Sequence, residues 1–143
     1  MKSPLRRPTM LVTAAALACW TLAGCAAPGL RTGPVGRPTP CTPGVCTIQV
    51  FVDNCQQAGG IRLDKPFVET DRAVNLRWEI VTPGFVFAAD GIRLDPPDPQ
   101  FQQQHSPHPN EFRLHNSKAS NGDFYYFVNV QGCRQMDPWI RNR

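Results

Sequence analysis

The chain has 143 residues, of which 15 are Lys or Arg and 11 Asp or Glu, for a formal net charge of +4. Lys2, Arg6 and Arg7 all fall in the first nine residues, MKSPLRRPT, which hold no acid. Without residues 1–24 the balance is 12 Lys+Arg against 11 Asp+Glu, a net charge of +1, and the electrostatic basis for nucleic-acid binding is gone. Met10 to Gly24 then runs uncharged for fifteen residues, MLVTAAALACWTLAG. A helix that crosses a bilayer needs ~20. A basic start, a short apolar run and a small-residue end predict a secretory signal peptide over 1–24.

Leu22-Ala23-Gly24-Cys25 resembles the lipobox of bacterial lipoproteins, which is cut just before its cysteine. The resemblance covers the first 25 residues. It implies that the Cys25 thiol is linked to diacylglycerol, that the new amino group is acylated, and that the membrane is the first partner. Several acyl chains at ~0.8 kcal/mol per buried CH2 make a durable anchor. Ala26 in place of Asp implies retention at the outer membrane, facing the periplasm, in a cell with two membranes. The competing reading is an ordinary signal cut elsewhere, with Cys25 as a disulfide partner.

Residues 26–44, AAPGLRTGPVGRPTPCTPG, contain five Pro and four Gly and no apolar period. Together with Cys25 they read as a semi-extended tether, 25–44, that lifts the following domain off the membrane. Residues 45–143, about 100 in number, suffice for one core. Cys19 leaves with the signal and Cys25 takes the lipid. Cys41, Cys46, Cys55 and Cys133 remain, an even number in an oxidising compartment. Of their three pairings, Cys41–Cys46 across the "CTPGVC" turn and Cys55–Cys133 from an early to a late strand are favoured. A catalytic or metal-bound thiol is the sharper reading of the same residues.

The rest alternates with a period of two. Ile48, Val50 and Val52 share one face of "TIQVFVD". Val74, Leu76, Trp78 and Ile80 share a face of "AVNLRWEIV", and Phe124, Tyr126, Val128 and Val130 one of "DFYYFVNVQ". Shorter candidate strands are "GIRLD" at 60, "GFVFA" at 84, a second "GIRLD" at 91, "EFRLHN" at 111 and "PWIRN" at 138. Pro and Gly punctuate them, and no amphipathic helix stands out. The expectation is an all-β chain folded as one small β-sandwich. The two "GIRLD" stretches, 31 residues apart, read as similar short strands and not as a duplicated unit, because their surroundings do not match.

The order Cys55, Trp78, Cys133 resembles an immunoglobulin domain, although Gln131 stands where a tyrosine corner needs Tyr. "NSKASNGDFYYFVNVQGCRQMDPWIRN" resembles the end of a cupredoxin, over about a quarter of the chain. That resemblance implies a Greek-key sandwich with a copper site, yet two ligands are missing. Cys133-Arg-Gln-Met136 has no His between Cys and Met, and no His follows the Trp78 strand. The expectation is a lost copper site with Cys133 in a disulfide.

Three candidate metal ligands remain, His105, His108 and His115 in "HSPHPNEFRLH", where imidazoles three apart suit copper or zinc. Solvated loop histidines are the competing reading. Asp90, Asp95 and Asp98 match no calcium loop. Nucleophile elbow, Walker, HExxH and Rossmann patterns are absent, as is a carboxylate pair for acid–base work. Tyr125 and Phe127, on the second face of the last long strand, offer a surface to a partner, with core packing on that face as the competing and more frequent reading. The sequence thus predicts a lipid-anchored envelope protein, not an enzyme, whose sandwich binds an envelope protein partner and needs no cofactor. The second reading is a periplasmic copper- or zinc-binding protein.

Overall fold

A computed structural model describes residues 36–106 and 108–143. The signal segment, Cys25 and the tether as far as residue 35 lie outside the described residues. The strands, in chain order, are β1 (Thr39–Pro40), β2 (Val45–Val52), β3 (Ile61–Leu63), β4 (Phe67–Thr70) and β5 (Val74–Ile80). They continue with β6 (Phe87–Leu94), β7 (Phe101–Gln104), β8 (Glu111–Asn116), β9 (Gly122–Val130) and β10 (Trp139–Asn142). They form two five-stranded sheets, ordered β1-β4-β10-β9-β6 and β3-β2-β5-β8-β7. The fold is an all-β sandwich.

Both sheets are mixed. β2 runs parallel to β5, and β4 runs parallel to both β1 and β10. Such pairs separate this order from the antiparallel sheets of an immunoglobulin domain. The sheet also begins earlier than the tether boundary at residue 44. β1 pairs with β4, and the Cys41 amide donates to the Glu69 carbonyl at 2.8 Å, so residues 39–41 belong to the fold. "GFVFA" is corrected too. Residues 84–86 form no strand, because Pro83-Gly84 turns the chain with Gly84 at φ +85°, and only Phe87 and Ala88 enter β6.

The alternating residues face inward as their period requires. Ile48, Val50, Leu76, Trp78 and Leu114 from one sheet meet Val68, Ile92, Tyr126, Val128 and Ile140 from the other, all buried. At the centre Trp78 Nε1 donates to Tyr126 Oη at 3.2 Å, and the two rings pack edge to face with centroids 5.2 Å apart. Complete burial pushes the Tyr126 phenol far above its ordinary range, so it stays protonated and can serve as a hydrogen-bond partner.

One end of the core is polar. Asn116 Nδ2 donates to Asn142 Oδ1 at 2.8 Å, and Asn142 Nδ2 donates to Gln100 Oε1 at 2.8 Å and to the Ser120 carbonyl at 3.1 Å. Gln100 Nε2 closes the cluster on Ser120 Oγ at 3.0 Å. Each of Gln100, Asn116 and Asn142 is buried, so these bonds replace lost water. The cluster pins the 117–121 turn, in which Lys118 holds a left-handed backbone at φ 55° and its amide donates to Asn116 Oδ1.

The two "GIRLD" stretches take the same role in opposite sheets. The first supplies edge strand β3 and the second the end of edge strand β6. In each, Ile and Leu point into the core and the Arg stays outside. Arg62 lies over the ring of Phe51, its cross-strand partner, and Arg93 over Phe127, its own. An outward arginine on an edge strand also discourages pairing with another chain. Similar edges, not a repeated site, explain the near-repeat.

Both favoured disulfides form. Cys41–Cys46 ties the end of β1 to the start of β2, with Cα atoms 5.2 Å apart. Cys55–Cys133 joins the β2–β3 loop of one sheet to the β9–β10 loop of the other, with Cα atoms 4.2 Å apart. The Arg134 amide adds a bond to the Cys55 carbonyl at 3.0 Å.

Candidate functional site

A cavity of about 520 Å3 opens on the side of the sandwich where edge strands β6 and β7 leave the two sheets unjoined. Its floor is apolar: Phe87 from β6 and Phe112 from β8 pack edge to face, centroids 6.0 Å apart. Gln103 and Gln104 of β7 form one wall, and His105, Ser106 and His108 of the following loop form the rim. A smaller hollow of about 200 Å3 continues along the same seam, over Ile92, Leu94, Phe101 and Leu114, and Gln103 lines both. Polar side chains, Gln103, Gln104, His105, Ser106, His108 and Glu111, make up most of the lining around this aromatic floor.

Local bonds shape the rim. Ser106 Oγ donates to the His108 carbonyl at 3.1 Å and accepts from the His108 amide at 3.4 Å. The Phe87 amide donates to the Pro109 carbonyl at 2.9 Å, which fastens the loop to β6. Gly91 allows the bulge in β6 that brings Phe87 down to Phe112: a Cβ there would lie 2.8 Å from Phe87 Cβ and 2.9 Å from Phe112 Cδ2.

Glu111 is the charged group of the cavity. It is only 9% exposed, and it is ion-paired with Arg113. Arg77 Nη1 stands 3.9 Å from its second oxygen. Ser106 Oγ lies 3.5 Å from its first. A buried carboxylate between two guanidinium groups is held by charge. Nothing in the sequence marks it, since alternation puts Glu111 on the outer face with Arg113 and His115, where exposure is the expectation.

The three histidines divide. His105 and His108 both line the cavity. His115 stands elsewhere, on the outer face of β8, where its Nδ1 lies 2.8 Å from Asn75 Oδ1. Four residues of extended strand separate it from Glu111, a distance of about 13 Å. The structure therefore does not assemble His105, His108 and His115 as one ligand set. Among the described residues no three His, Cys, Asp or Glu side chains converge as metal ligands. Cys133 is engaged with Cys55, so its sulfur does not stand as a cupredoxin thiolate would, and Met136 bridges by its backbone to Val128.

Tyr125 and Phe127 do lie on the outer face of their sheet, both half-buried. Tyr125 packs on Trp139, and Phe127 sits under Arg93. Beside them Arg141 bonds to Asp123 at 2.6 and 2.8 Å, which holds that carboxyl below its ordinary range. No known protein family and no curated protein sequence matches the chain.

Proposed function

We propose that the protein is a lipid-anchored module of the bacterial cell envelope that binds a partner through the cleft between β6 and β7. The anchor rests on the run from Lys2 to Cys25, with its lipobox-like end, and the Pro/Gly tether sets the reach of the domain. The cleft carries the binding reading: it is roomy, floored by Phe87 and Phe112, and shares Gln103 with the neighbouring hollow over Leu94 and Phe101. Such a seam suits an extended segment of an envelope protein. A photo-crosslinking residue at Gln103, in living cells, is expected to give a discrete adduct. The same residue at Arg62, on the opposite edge, is expected to give none. Equal labelling from both positions, or none from Gln103, would contradict the cleft as the site.

A second reading, copper or zinc binding, has one observation in its favour: His105 and His108 share the rim. With Glu111 engaged by Arg113, the rim offers two imidazoles and holds a metal only in company with water or a partner's ligand. Calorimetric titration of the protein with Cu(II) and Zn(II) tests it. Tight binding that the double substitution His105→Ala, His108→Ala removes supports metal handling. Binding that His115→Ala alone removes would place the site elsewhere.

A further inference from the structure

The outer face of the β2-β5-β8-β7 sheet is built in rows. Glu79 lies directly opposite Glu111, Arg77 opposite Arg113, and Asn75 opposite His115. The arginine row extends to Thr47 on β2 and to Gln104 on β7. Like charges directly across a ladder repel. The acidic row offsets this on one side, with Glu79 3.6 Å and Glu111 3.9 Å from Arg77, and Glu111 paired to Arg113.

The compensation is incomplete at Arg77. Both of its carboxylate contacts are longer than a hydrogen bond, and its Nε is buried with no hydrogen-bond partner. An unsatisfied buried guanidinium N–H is a standing cost of this arrangement. On the side of the arginine row away from the acids lies a separate pocket of about 150 Å3, lined by Val45, Asn75, Arg77, Gln104 and Arg113. No carboxylate lines it. Asn75 lines the pocket, and its Oδ1 lies 2.8 Å from His115 Nδ1. Val45, 49% exposed, adds an apolar wall.

We propose that this pocket is a binding site for a small carboxylate. The Arg77 and Arg113 forks hold the anion, Asn75 and Gln104 donate to it, and a short alkyl group lies against Val45. Arg77 and Arg113 both line the pocket, and a planar guanidinium fork matches the geometry of a carboxylate. The apolar wall favours an organic acid over a bare phosphate. This site is independent of the β6–β7 cleft, with which it shares only Gln104.

Propionate and inorganic phosphate, titrated separately into the full chain, test the assignment through the Arg77 and Arg113 Nε–Hε signals in NMR spectra. The expected result is a saturable shift with propionate and at least tenfold weaker binding of phosphate. Gln104→Glu puts a carboxylate at the pocket mouth and leaves the Arg–Glu rows intact. Arg77→Lys keeps the charge and removes the fork. Each is expected to weaken propionate at least tenfold, Gln104→Glu with an unchanged melting temperature. No saturable shift, undiminished binding in Gln104→Glu, or phosphate binding as tightly as propionate would overturn the proposal.

Discussion

Gly60→Ala is expected to destabilise the protein by about 3 kcal/mol, the upper end for forcing an extra carbon into a packed site. A Cβ at Gly60 would stand 1.6 Å from the Asn54 carbonyl oxygen and 2.6 Å from its carbon. These are backbone atoms, so no rotamer change relieves the clash. The Gly60 carbonyl accepts from the Asp53 and Asn54 amides, and its amide donates to Gln57, so the whole 53–60 loop must move. That loop carries Cys55. A useful contrast is Gly84→Ala: nothing lies within 4 Å of its Cβ, and only φ +85° opposes it. The left-handed backbone costs about 1 kcal/mol there. Urea unfolding of both variants checks the difference, and equal losses would contradict this account of the loop.

Removing Cys55–Cys133 is expected to cost more than removing Cys41–Cys46. The first closes a separation of 78 residues and the second one of 5. On the chain-entropy account these are worth about 4.5 and about 2 kcal/mol. The paired substitutions Cys55→Ala, Cys133→Ala and Cys41→Ala, Cys46→Ala, compared by denaturant unfolding, read the two directly. The long closure also joins the two sheets, whereas the short one fixes a turn beside the edge strand β1. A larger loss from the short closure would show that packing around buried Cys46, and not loop length, sets the order.

The strands that could be read from sequence are those with one buried face and enough length for alternation to repeat. β2, β5 and β9 are of this kind, and β8 and β10 nearly so. β4 (FVET) and β7 (FQQQ) could not be read, because neither alternates over enough residues. β4 has Phe67 and Val68 buried in succession, and β7 buries only Phe101. The cysteine pairing was favoured, because Cys41 and Cys46 flank a Pro-Gly turn while Cys55 and Cys133 sit beyond strand ends, but spacing alone left three connectivities open and the fold selects this one. The candidate sites were not legible. The cleft gathers β6, the 105–109 loop and β8 across an open side of the sandwich, and spacing does not show which strands end at that edge. The arginine row depends on the register of β5 against β8, which makes neighbours of residues 36 apart in the chain. His115 looked like a companion of His105 and His108 because it is near them in sequence, yet the strand carries it to the far end of another face.

The claim on which the proposed role rests is that the domain hangs from a lipid-modified Cys25. Intact mass spectrometry of the protein extracted from membranes tests it most directly, because one number reports cleavage, acylation and disulfides together. The expected mass is that of residues 25–143 plus diacylglycerol and one further acyl chain, less four hydrogens for two disulfides. A mature chain that begins elsewhere, or one that carries Cys25 without added lipid mass, would contradict the anchor and leave the sandwich without its place at the membrane.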